Sequence, residues 1–287
     1  MQIKETFTET EGHSTVILDP GSDLGDLKQK IIDVLENVWI GDITYDDDID
    51  DYKAVLAEFD IDAEFDIDLE AELHSRGLDE PFAPTKDRLV KDRGDVGEVL
   101  GYLRETLIRG VPPTDIFVPL IWAKLKGGVT THGIDGICFI WTPDEEPDQM
   151  ILCEWKHTSI STSVQVPCSS AADEWNNLVF RRLLQEMRRV RRIYQDRSQT
   201  DLAQRTKWCA FNWRKKDSSV LCTTMIVCPD EVPIDKARQD ISAHLVLKCA
   251  QHASESTVPG MHEVNLIPIP EMVDFLDECH QEFMNDS

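Results

Sequence analysis

Basic residues are scarce in this chain: 29 Lys and Arg stand against 54 Asp and Glu over 287 residues, a formal net charge of −25. A protein that coats nucleic acid through its overall charge needs the opposite balance, so that class is excluded. No apolar run approaches the ~20 residues that a membrane-spanning helix needs. The first residues also have no basic-then-apolar signal-peptide pattern. We therefore expect a soluble, cytoplasmic protein with no membrane partner.

Several common functional motifs are also missing. The eight cysteines include no CxxC pair and form no Cys/His cluster at the short spacings of zinc sites. Most of them fall in apolar, strand-like segments, where we expect reduced and buried thiols. No Gly-rich phosphate loop, nucleophile elbow or Cys/His dyad stands out, so the familiar nucleotide-binding and hydrolase motifs do not explain the chain.

The charge is distributed unevenly. Residues 1–80 hold 24 acidic and 5 basic residues, whereas residues 176–216 hold 12 basic and 3 acidic ones. A local basic patch can contact phosphates while the acidic remainder discourages indiscriminate binding. We therefore distinguish an acidic N-terminal region, residues 1–85, from the rest of the chain.

Hydrophobic periodicity predicts an α/β protein with alternating helices and strands. A strand at 15–18 and a helix at 24–38 are predicted near the start. Beyond the charged connection 81–93 we predict, in order, a helix at 95–109, strands at 115–122, 133–142 and 149–156, a helix at 171–197, strands at 206–213 and 219–228, and then a helix, a strand and a helix.

Acidic and apolar residues alternate from 58 to 73, in the sequence EFDIDAEFDIDLEAEL. Period 2 predicts a half-buried strand with a row of carboxylates on one face. A solvated sheet face is one interpretation. The other is a docking surface, or a screen that repels DNA until a partner moves it.

A carboxylate followed two residues later by lysine occurs three times, about as often as chance allows. The pairs are Asp26/Lys28, Asp51/Lys53 and Glu154/Lys156. The first falls in a predicted helix and the second in an acidic run. Only the third ends an apolar strand, where a spacing of two places both side chains on one face. A carboxylate that holds a metal and an ammonium group could then share one site.

The preceding strand begins near Asp135, and the turn 143–148 predicts a hairpin with the Glu154 strand. Pairing about that turn would place Asp135 level with Glu154 or Lys156. Neighbouring buried carboxylates repel each other unless a cation lies between them, which predicts Mg²⁺, with Mn²⁺ as a substitute. Alternatively, Asp135 serves the turn and Glu154 pairs with Lys156 on the sheet surface.

Three further residues are candidates near this site. Glu98, in the helix that precedes the strands, could supply a third acid, or it could form an N-terminal capping box with Asp95. His132 and His157 flank the proposed site and could orient a phosphate or a water molecule. Each histidine could equally be no more than a neighbour.

The predicted helix 171–197 contains seven arginines and no lysine. Such a face is often only solvated, but arginine also makes bidentate contacts with phosphate. We predict DNA contacts from Arg181, Arg182, Arg188, Arg189 and Arg192.

The segments GDVGEVLGYL, THGIDGICFIW and ILCEWKHTS follow one another in the order helix, strand, strand. With the helix and strand that follow, this arrangement resembles the PD-(D/E)xK restriction-endonuclease-like core, a mixed sheet flanked by helices, over about residues 90–230. The whole chain is similar to the HamA family, the nuclease components of Hachiman anti-phage defence systems. One departure is that His132-Gly-Ile-Asp135 stands where the superfamily has Pro-Asp.

The resemblance implies that residues 86–287 form a Mg²⁺-dependent deoxyribonuclease domain with a C-terminal helical extension. Asp135, Glu154 and the Trp155 carbonyl would hold the metal, Lys156 would orient or activate the attacking water, and Glu98 would help to position the water or a second ion. The resemblance also implies a HamB-like helicase partner that restrains the nuclease. Two alternatives stay open: an inactive nuclease-fold interaction module, and a stand-alone restriction or repair nuclease.

Overall fold

The structure is a computed structural model that describes residues 1–10, 12–35, 93–117, 134–142, 148–178, 180–214, 219–251 and 262–285. The strands in these ranges are β1 (Gln2–Thr10), β2 (His13–Asp19), β3 (Ile116–Phe117), β4 (Gly136–Ile140), β5 (Gln149–His157), β6 (Val220–Pro229) and β7 (His262–Ile269). The helices are α1 (Leu24–Val34), α2 (Arg93–Leu107), α3 (Gln165–Asn177), α4 (Phe180–Asp196), α5 (Thr200–Arg214), α6 (Ile234–Ile241), α7 (Leu247–Gln251) and α8 (Met272–Asn285).

The described strands form one seven-stranded sheet in the order β1-β2-β7-β6-β5-β4-β3. Strands β2, β7, β6 and β5 are parallel to one another. Antiparallel strands complete the sheet at both ends, with β1 beside β2 and with β4 and β3 beside β5. The prediction of an α/β protein with a mixed sheet flanked by helices is confirmed.

Helices cover both faces of this sheet. We call the face that carries Met150 and Leu152 the front face, and the face that carries Ile151 and Cys153 the back face. Helices α3 to α7 pack their buried apolar residues on the front face. Helices α1, α2 and α8 do the same on the back face. Because side chains alternate along a strand, neighbouring residues of β5 belong to different cores.

Most of the predicted elements are confirmed, including β2, β4, β5, β6, α2 and the final helix, strand and helix. Helix α1 begins at Leu24 as predicted. The Asp23 carboxylate caps it by accepting hydrogen bonds from the backbone N–H groups of Gly25 and Asp26, at 3.0 and 3.2 Å.

The predicted strand at 206–213 is wrong, because these residues lie in helix α5. The aromatic and apolar run TKWCAFNW has strand-like composition. Ala203, Thr206 and Cys209 are nevertheless buried at a spacing of three, so helical packing prevails over local propensity. The strand that follows β5 in the sheet is therefore β6.

The long helix predicted at 171–197 is two helices. Helix α3 begins earlier, at Gln165, and Pro167 lies in its first turn, where a missing N–H group costs little. The chain is extended at Leu178, with φ −68° and ψ 109°, and α4 begins at Phe180.

Strand β1 was not predicted from the sequence. It carries few apolar residues, and Ile3 is exposed, so its alternation is weak. Arg238 of α6 holds it in place: the guanidinium donates to both carboxylate oxygens of Glu9, at 2.8 and 3.1 Å, and lies 3.9 Å from the centre of the Phe7 ring.

Some predictions fall outside the described residues. They concern the alternating stretch 58–73, the pair Asp51/Lys53, the connection 81–92 and most of the strand predicted at 115–122. In the ranges that the structure describes, no helix is both long and apolar enough to cross a membrane. All eight cysteines are described, and each is a buried free thiol, as predicted.

Candidate active site

The hairpin of β4 and β5 brings three of the predicted site residues together. Gly136 pairs with Cys153, so continuation of the antiparallel register places Asp135 opposite Glu154. The Lys156 ammonium contacts Glu154 Oε1 and lies 4.0 Å from Asp135 Oδ2. Glu154 and Lys156 share the front face with Met150 and Leu152, as the spacing of two predicted.

Both carboxylates of this cluster are buried. Asp135 is 5% exposed and Glu154 is 2% exposed. The Trp155 backbone N–H donates to Asp135 Oδ2 at 2.6 Å, which fixes the Asp135 carboxylate against the edge of β5. Glu154 Oε1 accepts no hydrogen bond of good geometry from any described group, although it contacts the Lys156 ammonium group. Burial without a hydrogen bond is costly for a carboxylate oxygen.

The electrostatics of the cluster follow from this burial. Burial and the neighbouring Asp135 charge raise the pKa of Glu154 well above its ordinary value, and Lys156 offsets only part of the effect. For Lys156, burial alone would lower the pKa, but Glu154 and Asp135 raise it above its ordinary value. Lys156 is therefore an ammonium group at neutral pH, suited to orienting water and to offsetting negative charge.

The donor set of this cluster fits a hard divalent cation. Two carboxylates that repel each other, one with an oxygen lacking a hydrogen bond, would both be stabilised by such an ion. No group of three or more His, Cys, Asp or Glu side chains in the described ranges is arranged to hold a metal. Mg²⁺ commonly uses only one or two protein carboxylates and completes its shell with water and substrate phosphates.

Glu98 and His157 belong to the other side of the sheet. Helix α2 packs on the back face, and a Cβ atom added to Gly97 would lie 4.0 Å from the Cβ atom of His157. The backbone is already helical at Arg93, so Asp95 lies inside the helix and the proposed capping box is wrong. Roles for Glu98 and His157 in the site stay predictions. His132 lies outside the described residues.

Trp155 connects the two faces of the site. Its backbone contacts Asp135, while its indole ring points to the back face and packs closely between α2 and β4. A Cβ atom at Gly101 would lie 2.5 Å from the indole Nε1, and one at Gly136 would lie 2.8 Å from the ring. The missing side chain at Gly101 therefore makes room for this ring. The Trp155 carbonyl stays a predicted metal ligand.

Helix α4, which carries the predicted DNA-binding arginines, lies on the same front face as Glu154 and Lys156. Leu183, Met187, Val190 and Tyr194 form its buried stripe. The Tyr194 hydroxyl donates to Asp115 Oδ1 at 2.7 Å and thereby fixes the end of the helix.

Helical spacing puts the arginine positions away from that stripe. Arg192 is partly exposed, whereas the side chains of four others lie outside what the structure describes. They are Arg181, Arg182, Arg188 and Arg189. Their contacts with DNA, like that of Arg192, stay predictions.

Sequence reasoning missed Glu174, a carboxylate whose charge raises the pKa of both Glu154 and Lys156. It precedes Trp175, whose indole N–H donates to Thr224 Oγ1 at 2.8 Å. Thr224 pairs with Glu154 in the parallel register of β5 and β6. Glu174 lay within the predicted helix 171–197, but its influence on Glu154 depends on how α3 packs on the sheet, which the sequence does not give.

A buried polar chain continues from Thr224. Thr224 Oγ1 lies 2.8 Å from His262 Nε2, and because the hydroxyl accepts from Trp175, its own proton is available to this nitrogen. Burial, together with the nearby His13, lowers the pKa of His262 to about 3. His262 is therefore neutral in the folded protein at neutral pH.

We expect the free energy of unfolding to fall as the pH drops below the ordinary histidine range. The unfolded chain protonates His262 from about pH 6.5 downward, whereas the folded chain resists protonation until about pH 3. In the variant His262→Gln, the free energy of unfolding should therefore depend less on pH. Between pH 6 and pH 4 its decrease should be smaller than in the wild type by about 1 kcal/mol per pH unit. Urea unfolding at several pH values measures it. His244→Gln, at a partly exposed position, is the control and should keep the wild-type slope.

No family model matches the chain, and no curated protein sequence matches it. The convergence of Asp135, Glu154 and Lys156 is therefore the evidence on which a function must rest.

Proposed function

We propose that this chain is a metal-dependent deoxyribonuclease of the PD-(D/E)xK type. The observation that carries the proposal is the cluster of Asp135, Glu154 and Lys156 on two adjacent antiparallel strands. The element order α2, β3, β4, β5, helices, β6 supports it, because it agrees with the helix, three strands, helix and strand of that core. The corrected position of the last strand leaves this order intact.

In this proposal, Asp135, Glu154 and the Trp155 carbonyl hold Mg²⁺. When bound, the ion acts as a Lewis acid on the scissile phosphate and lowers the pKa of its water. The Trp155 N–H keeps the Asp135 carboxylate in one orientation. The Lys156 ammonium, held beside both carboxylates, orients the attacking water and offsets negative charge that develops on the phosphate.

We further propose that the nuclease is the effector of a Hachiman-type anti-phage complex and is restrained by a helicase partner. The support is electrostatic: residues 1–80 contain 24 acidic and 5 basic residues. A segment with this charge repels DNA and attracts a basic protein partner. The basic segment 176–216 would then contact DNA phosphates once the restraint is removed.

The test is cleavage of labelled single-stranded and duplex DNA by the full chain, alone and with its helicase partner, in Mg²⁺ and in EDTA. We expect cleavage only with Mg²⁺, and none from the double variant Glu154→Ala/Lys156→Ala. Lys28→Ala is the control, because Lys28 pairs with Glu278 and Glu282 between two helices of the back face, whereas Glu154 and Lys156 lie on the front face.

Three outcomes would contradict parts of this proposal. Cleavage retained in EDTA or in the double variant would remove the catalytic assignment. An absence of cleavage under every condition, with the partner and DNA present, would favour an inactive interaction module. Equal and high activity with and without the helicase would remove the restraint and favour a stand-alone nuclease.

A further inference from the structure

The segment that follows Lys156 carries no charged side chain. From His157 to Ala172 the sequence contains no Asp, Glu, Lys or Arg, and no other stretch of the chain is free of these residues for as long. In a protein with a net charge of −25, a polyanion meets less repulsion here than along the acidic segments of the chain. This segment also begins directly after Lys156, the proposed catalytic lysine.

Two large apolar residues are exposed in this segment. Ile160 is 44% exposed and Val166 is 63% exposed. The residues between them include Ser161 and Thr162, which are also exposed. We call residues 158–166, the connection after β5 together with the first two residues of α3, the neutral loop. It presents apolar side chains and hydroxyl groups together, a combination that suits a ligand with both flat apolar faces and hydrogen-bond acceptors.

Hydrogen bonds hold the neutral loop at both ends. At its start, the Thr158 N–H donates to the Val227 carbonyl at 3.0 Å, and the Ile160 N–H donates to Thr158 Oγ1 at 3.2 Å. At its end, the Ser163 hydroxyl and the Val164 N–H donate to one oxygen of Asp240, at 2.7 and 3.1 Å. The exposed apolar side chains are therefore presented by a fixed backbone.

The carboxylate beneath the loop does not make it acidic. Asp240 is buried, and Lys236 pairs with it one helical turn away. One Asp240 oxygen contacts Lys236, and the other accepts the two hydrogen bonds from the loop. The neutral loop itself thus carries no negative charge, and the carboxylate beneath it is buried and paired.

We propose that the neutral loop binds unpaired nucleotides of the DNA strand next to the cleaved phosphate. Ile160 and Val166 contact base faces, and the hydroxyls of Ser161 and Thr162 contact phosphate oxygens. Base faces are accessible only where the strand is not paired, so the substrate is single-stranded DNA or an opened duplex end. This inference rests on the proposed nuclease function and names the substrate class of that site.

Binding in EDTA tests the inference without any dependence on cleavage. The probes are a fluorescein-labelled oligothymidylate and a labelled hairpin duplex, measured by anisotropy with the full chain. The double variant Ile160→Ser/Val166→Ser should bind the single strand about 10-fold more weakly, and the duplex within about twofold of the wild type. The matched control is Ile3→Ser/Leu247→Ser, at two positions that are each 53% exposed and lie elsewhere.

A second variant tests the role of charge. Thr162→Glu adds an acid to the neutral loop and should weaken binding of the single strand by about fivefold. This loss of affinity should be smaller at high salt, because salt screens the added charge. Ser242→Glu adds the same charge at an exposed position of the helical segment after α6 and should have little effect.

The outcomes separate this inference from the proposed function. Loop variants that bind like their controls, or that lose single strand and duplex equally, would overturn the neutral loop as a site for unpaired nucleotides. They would leave the nuclease proposal in place. A wild-type chain that binds neither probe, alone or with its helicase partner, would instead overturn the proposed function and the inference with it.

Discussion

Glu154→Gln is expected to abolish metal-dependent cleavage and, in the same protein, to raise the melting temperature. The Glu154 carboxylate is buried beside Asp135, and both burial and that charge raise its pKa. Above pH 4.5 the unfolded chain ionises this group freely, so the folded state is penalised at neutral pH. The amide removes the penalty and also removes a proposed metal ligand. Activity should fall about 1,000-fold, and the melting temperature in EDTA should rise by about 3 °C.

Addition of Mg²⁺ should make the melting temperature of the wild type higher than that of Glu154→Gln. An ion that binds the folded state raises the melting temperature of the wild type, since ligand binding stabilises the folded protein. Glu154→Gln should show little of this increase. Glu278→Gln, which changes an exposed carboxylate of α8, is the control and should match the wild type in activity and in metal response. A Glu154→Gln protein less stable than the wild type in EDTA would contradict the electrostatic account.

Gly101→Ala is expected to cost about 3 kcal/mol of unfolding free energy. The new methyl group would lie 2.5 Å from Trp155 Nε1 and closer still to two carbon atoms of the ring. The ring cannot move away easily, because its other end packs closely on Gly136. A Cβ atom built at Gly136 would lie only 2.8 Å from that end of the ring. Trp155 lies between Glu154 and Lys156 in the chain, so its displacement should also reduce cleavage, by about 10- to 100-fold.

The matched control for Gly101 lies one turn earlier in the same helix. A Cβ atom at Gly97 would meet its nearest neighbour at 4.0 Å, which is ordinary contact. Gly97→Ala should therefore stabilise the protein by up to about 1 kcal/mol, the usual gain for alanine over glycine in a helix. Chemical denaturation of the two variants measures the difference. Equal effects at both positions would show that helix propensity, and not contact with the Trp155 ring, decides them.

The hairpin at the centre of the site could be predicted from the sequence because its determinants are local. The two strands are separated by a short turn, and the spacing of Glu154 and Lys156 fixes their shared face. The position of Asp135 opposite Glu154 then follows from the antiparallel pairing of the two strands about that turn. The three side chains are in contact distance as this reasoning required.

Other elements depend on contacts between residues far apart in the sequence. Residues 206–213 have the composition of a strand, but they pack as helix α5 against α4. The start of α3 at Gln165 was missed, and Pro167 lies in its first turn, where proline is tolerated. Glu174 could not be placed near Glu154 until the packing of α3 on the sheet was known.

The proposed binding surfaces show the same limit. Composition identified an arginine-rich helix, and the buried stripe of α4 now places it on the front face. The neutral loop was not recognised at all, since a stretch without charges carries no motif. Its significance depends on its position directly after β5 and on the exposure of Ile160 and Val166.

The parallel pairing of β2 with β7 places His13 beside His262, and so joins two strands that are about 250 residues apart in the sequence. During synthesis, at about 5–20 residues per second, the ribosome releases β7 roughly 10 to 50 seconds after β2. Until then β2 and β6 each have an open edge, and contacts over such a sequence separation form slowly. A nascent chain of this protein thus completes the sheet only after β7 has left the ribosome, so β2 must wait for a partner strand made about 250 residues later.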